Sequence, residues 1–297
     1  MTGVTVARGV VFTELLWKLP HNVHDRKGRI LLVGGSPGKL KELLEIAEST
    51  LQFQVAEILF AVPEQLAHSL PAVPPEVHII ACPETPAGSL GRVAKDRILT
   101  QAGDVDLALV GPGLSRHPET QQMVRELVGS LSSPLALTQD GLPGIDVQTI
   151  TSRKAGTVLV TDASVLGRLL HEAGLVEDHG AKAIATLYKH KNELLFKAAQ
   201  AWQTNIVLIS SEPTVAGPSV EAIIIPGLHP DQFTAFAPLF WGLYLALAIR
   251  APDRLAEVGA TSLSALNTYQ HEMKDAAAAE RKKVANFRTF IDKASSR

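Results

Sequence analysis

The 297-residue sequence predicts an α/β fold, a doubly wound and mostly parallel sheet with helices on both faces. Three observations carry that expectation. Short apolar runs recur along the chain, and they are continuous rather than alternating, as in strands covered by helices on both sides. Several of the intervals between runs can hold a helix, which is the βαβ rhythm of a parallel sheet. Glycine- and proline-rich turns close the runs at three places. No fixed-period repeat, low-complexity block or linker divides the sequence, so one domain is expected.

Taken in order, residues 1–25 form an N-terminal segment of unassigned structure. Arg29–Val33 (RILLV) then reads as a buried strand, ended by Gly34-Gly35-Ser36-Pro37-Gly38. Leu40, Leu43, Leu44, Ala47 and Leu51 follow at the spacing of one apolar helical stripe, with Lys39, Lys41, Glu42, Glu45 and Glu48 mostly on the other faces. Further strands are expected at residues 58–62, 77–82, 107–110, 135–137, 157–160, 206–209 and 222–225, and helices at 117–131 and 164–173. Residues 232–249 carry no charge, which approaches the length of a membrane span. Gln232, Thr234, Pro238 and Gly242 dilute that run, and a helix buried against the sheet is the expectation. The charged stretch 265–296 reads as a long C-terminal helix that packs on the domain or serves a partner. The divisions are therefore 1–25, 26–266 for the domain, and 267–297 for the terminal helix.

Composition narrows the function. The chain is 46% hydrophobic and 20% charged, with a formal charge of −2. That balance gives no broad attraction to nucleic acid or to an anionic membrane. Cys82 is the single cysteine, so an internal disulfide and a cysteine metal cluster are excluded. It lies in an apolar run, where an inert structural thiol is expected. With no charged segment followed by an apolar signal core at the start, a cytoplasmic location is expected.

In an open parallel sheet, ligands bind beyond the carboxyl ends of the strands. The turn at residues 33–38 could let backbone N–H groups meet an anion at a helix start, but it fits neither a dinucleotide fingerprint nor a Walker loop. Val110-Gly111-Pro112-Gly113-Leu114 is a rigid turn against which a ligand could lie. Ile225-Pro226-Gly227-Leu228-His229-Pro230-Asp231 leads into the charge-free run, with Pro230 suited to a first helical position. At each turn a purely structural role stays open. Asp231 is favoured there by the helix dipole without any catalytic duty, and His229 reads as a loop histidine. The histidines at 21, 24, 68, 78, 117, 171, 179, 190 and 271 show no metal-protease spacing, and no nucleophile elbow is present. Local chemistry alone describes an α/β protein for a small ligand.

Together and in this order, the turns resemble those of the ADP/ATP-dependent NAD(P)H-hydrate dehydratases, a branch of the ribokinase-like superfamily. His24-Asp25-Arg26-Lys27-Gly28-Arg29 and the VGGSPG turn at 33–38 are similar to that family's opening, and the distance to Ala61-Val62-Pro63 fits its first helix and second strand. Gly111-Pro112-Gly113-Leu114 is similar to its GPGLG strand end, and Asp140-Gly141-Leu142 follows the strand that carries its D-A-D. Asp231 stands where its GTGD ends. The resemblance implies a ribokinase-like fold and removal of water from hydrated NADH or NADPH, driven by ADP or ATP with Mg²⁺. It implies Asp231 as catalytic base, Gly34, Gly35, Gly111 and Gly113 beside the substrate, Gly227, His229 and Ser210 beside the nucleotide, and Asp140 near the metal. A homo-oligomer is left open.

The sequence also departs from that pattern. Leu228, His229 and Pro230 replace the Gly-Thr-Gly before Asp231, and Pro230 has no N–H to offer a phosphate. Lys41-Glu42 stand where the family is small, Phe53-Gln54-Val55-Ala56 replace Ala-Gly-Ala-Gly, and Thr161-Asp162-Ala163-Ser164 replace His-Pro-Gly-Glu. Ile209-Ser210 stand in place of Lys-Gly, and Ser115 in place of a glycine. An alternative to the enzyme is therefore a non-catalytic homologue that binds an adenine nucleotide or a partner.

Overall fold

A computed structural model of the chain describes residues 5–20 and 22–296; His21 lies outside them. Its strands are β1 (Thr5–Val6), β2 (Arg29–Val33), β3 (Glu57–Pro63), β4 (Val77–Cys82), β5 (Leu107–Val110), β6 (Leu135–Leu137), β7 (Thr157–Thr161), β8 (Asn205–Leu208), β9 (Thr214–Gly217) and β10 (Val220–Ile224). Its helices are α1 (Leu40–Gln52), α2 (Glu64–Ser69), α3 (Ala94–Ala102), α4 (Pro118–Ser130), α5 (Val147–Thr151), α6 (Ala163–Glu172), α7 (Ala181–Lys189), α8 (Lys191–Trp202), α9 (Pro230–Ala248), α10 (Leu255–Glu272), α11 (Ala278–Arg281) and α12 (Val284–Ser295).

All ten strands join one sheet in the order β1-β10-β9-β8-β7-β6-β5-β2-β3-β4. From β4 through β8 every pairing is parallel, whereas β9 runs antiparallel to both β8 and β10. Alternate side chains of each strand enter different cores. Ile30 and Leu32 join the layer containing α1, α9, α10 and α12, while Leu31 and Val33 join the layer of α3, α4, α6 and α8. This two-sided burial is the physical reason for the continuous apolar runs.

Three differences from the sequence reading have local causes. The buried face of α1 is Leu43, Ile46, Ala47 and Thr50, while Leu40, Leu44 and Leu51 sit at its margin. Thr50 can enter the core because its hydroxyl donates to the Ile46 carbonyl at 2.7 Å. The stretch 265–296 is not one helix. Helix α10 runs to Glu272, and the chain then turns before α11 and α12. Strands β1 and β9 were not foreseen, since β1 has only two residues and β9, Thr214–Gly217, holds a single large apolar side chain, Val215.

The charge-free run becomes α9, which packs between α1 and α10. Phe240, Leu243, Tyr244, Leu245, Ala246 and Leu247 are fully buried there. No described helix is long and apolar enough to cross a membrane. Gly242 allows the close crossing with α1, because a Cβ at that position would overlap Ser49.

Candidate functional site

Strand order reverses between β2 and β5, the point at which an open α/β sheet leaves a crevice. Two turns meet there. The Gly35 N–H donates to the Pro112 carbonyl at 2.9 Å, and the Gly113 N–H donates to Asp140 Oδ2 at 2.9 Å. A Cβ on Gly34 would overlap the Pro112 carbonyl, one on Gly111 the Thr138 hydroxyl, and one on Gly113 the Lys39 side chain. The space freed by these three glycines is thus filled by the protein itself. Gly35, at φ +85°, faces only ordinary contacts with Val62, Leu43 and Leu66.

Beside this junction lies a crevice of about 310 Å³ over the ends of β5 to β8. Val160, Ile209, Phe233, Ala237 and Trp241 give it apolar walls. Lys39, Glu42, Thr138, Gln139, Asp140 and Asp162 give it polar ones. Asp162 is held firmly, since Oδ1 caps α6 by accepting from Val165 N–H at 2.9 Å and Oδ2 accepts from the Gln139 amide. Lys39 and Glu42 pair at 3.4 Å, so the first turn of α1 contributes a neutralised couple rather than a free charge. Such a crevice suits a flat, largely uncharged ring with polar substituents at its edge.

The predicted site residues divide into two sets. Gly34, Gly35, Gly111, Gly113 and Asp140 come together at the switch point. Asp231 does not join the crevice: its side chain is 94% exposed, in the first turn of α9. Gly227, at φ +94°, lies in the exposed turn before α9, near Asn267. Ser210 is buried and donates to the Glu212 carbonyl at 2.8 Å, which shapes the β8–β9 connection. Leu228 is in the core and leaves the crevice clear. Among the described residues, no three His, Cys, Asp or Glu side chains are grouped as a metal cluster would need.

The start of α9 bears directly on nucleotide binding. His229 is its N-cap, and the His229 Nδ1 accepts from the Asp231 N–H at 3.3 Å while Gln232 Oε1 accepts from the His229 N–H at 3.1 Å. Pro230 carries no N–H. Two of the amides that a phosphate would use are therefore engaged by the chain, and a third is missing. These residues do not fit an anion cradle as they stand.

Gln139, Phe233 and Trp241 were not picked out from the sequence as site residues. Each is an ordinary side chain in its own segment, and only the packing of α9 across the strand ends brings them together.

Solved structures that align with this chain include ribokinase-like proteins. An ADP/ATP-dependent NAD(P)H-hydrate dehydratase from Bacillus subtilis, co-crystallised with ATP/Mg²⁺, aligns with a TM-score of 0.68 at 16% identity, covering 97% of this chain and 98% of that one. A ribokinase-like superfamily protein from Enterococcus faecalis V583 aligns with a TM-score of 0.68 at 14% identity, covering 99% and 97%. The chain has the ribokinase-like fold. Its relatives in sequence are bifunctional NAD(P)H-hydrate repair enzymes, including one from Moorella thermoacetica, 31% identical over 210 residues. That match covers 70% of this chain and 38% of the relative. One from Thermofilum pendens is 27% identical over 210 residues, with the same coverage. The chain thus spans less than two thirds of the curated relatives it matches. No protein-family model matches it.

Proposed function

We propose that this chain is a domain of the NAD(P)H-hydrate dehydratase type, and that its switch-point crevice receives the hydrated nicotinamide ring of NADH or NADPH. One observation carries the reading. In a chain similar to the repair enzymes, a crevice with aromatic and aliphatic walls and a hydrogen-bonding edge stands at the strand ends. Trp241 and Phe233 would pack against the reduced ring. Thr138, Gln139 and Asp140 could meet its hydroxyl and carboxamide.

Dehydration driven by ADP or ATP with Mg²⁺ would need a phosphate cradle and a carboxylate near the substrate hydroxyl. Asp162 is engaged through both oxygens and Glu42 is paired with Lys39, which leaves Asp140 as the crevice carboxylate to meet a cation, with phosphates and water completing the shell. The self-capped start of α9 and the outward Asp231 favour a second reading, in which the chain binds the dinucleotide without turning it over. A cytoplasmic setting suits either role, and identical copies could associate.

Incubation with hydrated NADH, ADP or ATP, and Mg²⁺, followed by NADH absorbance, separates the readings. Recovery supports catalysis; its loss in Asp231→Asn would assign the base to that outward carboxylate, and its persistence would assign it to a carboxylate of the crevice. Absent recovery, together with a thermal shift from hydrated NADH, supports binding alone. No recovery and no shift from the hydrate or any adenine nucleotide would sink both.

A further inference from the structure

A second cleft, of about 420 Å³, opens between α6 and α7, away from the switch-point crevice. All its titratable lining side chains are basic: Arg116, Arg168, His171 and His179. They arrive from three places, the β5–α4 loop, α6, and the turn before α7.

Three of these groups are held in position. Arg168 donates to the carbonyls of Leu142 and Ile145, each at 3.0 Å, which fixes its guanidinium beside the cleft. The His171 and His179 rings stack with centroids 5.6 Å apart and planes 29° from parallel. Each imidazole can offer an N–H donor even when neutral. Glu172 offsets part of the charge by pairing with Arg168 at 3.3 Å, but its other oxygen accepts from the Val147 N–H at 2.9 Å. That carboxylate is turned toward α5 and does not line the cleft.

These donors face solvent, so an anion entering the cleft would meet them without having to open the fold. Converging donors and positive charge gain little from facing each other, whereas a phosphoryl group could accept from several at once. A carboxylate would use fewer of the donors, and the cleft has more room than an isolated phosphate ion needs. Ser164, in the first turn of α6, adds a hydroxyl to the lining.

We propose that this cleft is a binding site for a phosphorylated small molecule, separate from the nicotinamide crevice. Its ligand is recognised by the phosphoryl group, with the remaining volume taking a sugar or nucleoside. The site does not depend on how the crevice is read.

Isothermal titration of the full chain with inorganic phosphate, ribose 5-phosphate and AMP tests the idea. We expect measurable binding of at least one phosphoester, weakened tenfold or more in Arg116→Glu and in the double variant His171→Gln/His179→Gln. Both variants change exposed side chains, so their melting temperatures should match the parent. Stronger binding of AMP than of ribose 5-phosphate would assign the outer volume to a base, and equal binding would assign it to the sugar. Binding of free phosphate as tight as either ester would overturn the small-molecule assignment. Binding unchanged by both variants, or none up to millimolar concentrations, would overturn the site.

Discussion

At the scale of single residues, the surroundings of a side chain decide its chemistry. Cys82 is fully buried, its thiol donates toward the Ile80 carbonyl, and burial pushes its pKa up to about 12. The sequence suggested an inert thiol, and this environment supplies the reason. We expect no reaction with a thiol-specific disulfide reagent at pH 8 in the native state, and one equivalent in guanidinium. Asp146 shows the opposite shift. Hydrogen bonds from the side chain and backbone of Thr149, at the start of α5, hold its carboxyl below the usual range despite partial burial. Because the folded value is depressed, its stabilisation is present above the unfolded pKa and is lost as pH falls through the folded one. Replacement by Ala should cost about 1 kcal/mol at pH 7 and less once the carboxyl is protonated in both the folded and unfolded chain, as urea titrations at both pH values would show.

The same scale explains how unevenly the site could be read. The turns that bring Gly34, Gly35, Gly111 and Gly113 together were legible because a turn at a strand end has a local signature, whereas the packing of three of those glycines against Pro112, Thr138 and Lys39 was not. The orientation of Asp231 was not, because it depends on whether His229 or a ligand caps α9, and both choices are compatible with the same four letters. Reopening that end is a direct test. His229→Thr with Pro230→Gly should increase nucleotide-dependent thermal stabilisation relative to the parent if the cap is what excludes phosphate. An unchanged shift would mean that some other feature excludes it.

At the scale of elements, strands were legible where both faces are buried, since apolar character is then continuous. The runs for β2, β4, β5 and β6 coincide with the observed strands, and those for β3, β7, β8 and β10 differ by a few residues at the ends. Strand β9 sets Val215 between a threonine, an alanine and a glycine, which leaves no apolar run to find. The C-terminal helix was overextended because alanines and charges favour helix without saying where tertiary packing stops it. Arg153 is a further example of information hidden from sequence. Its guanidinium donates to the carbonyls of Val128, Leu131 and Ser133 and to the Thr157 hydroxyl, closing the end of α4, while burial lowers its pKa to about 10. Arg153→Met would leave those carbonyls without their donor. We expect a loss of roughly 2–4 kcal/mol by denaturant unfolding, with little change in ligand binding. Gly242→Val should be destabilising by about 1–3 kcal/mol, since the new side chain must displace Ser49 or separate α1 from α9.

At the scale of the molecule, the C-terminal segment is part of the fold. Phe287 and Ile291 of α12 are buried, Phe287 meets Phe53 and Tyr269 at centroid distances of 5.9 and 5.1 Å, and Arg288 donates to the Pro20 carbonyl at 2.9 Å. Burial of those two apolar side chains is worth about 3–6 kcal/mol before the entropy of ordering the segment is subtracted. Truncation after residue 276 should therefore lower the melting temperature by several degrees, about 2–4 °C for each kcal/mol lost. A truncated chain that melts with the parent would show the segment to be loosely attached. The doubly wound architecture itself needed no such detail, since it follows from the number and spacing of apolar runs.

Strand β1 has a consequence for the order in which the molecule is made. Thr5 pairs with Ile223, and the Ala7 N–H donates to the Ile224 carbonyl at 2.8 Å. On the ribosome, β2 and β3 can associate early, while β1 must stay unpaired until β10 has emerged. Its closure is a late, long-range event that carries the largest loop entropy in the sheet. Ala7→Pro removes that donor and should speed unfolding several-fold while leaving the refolding rate unchanged, the kinetic mark of a contact absent from the transition state. The first strand of the chain would then be the last to lock.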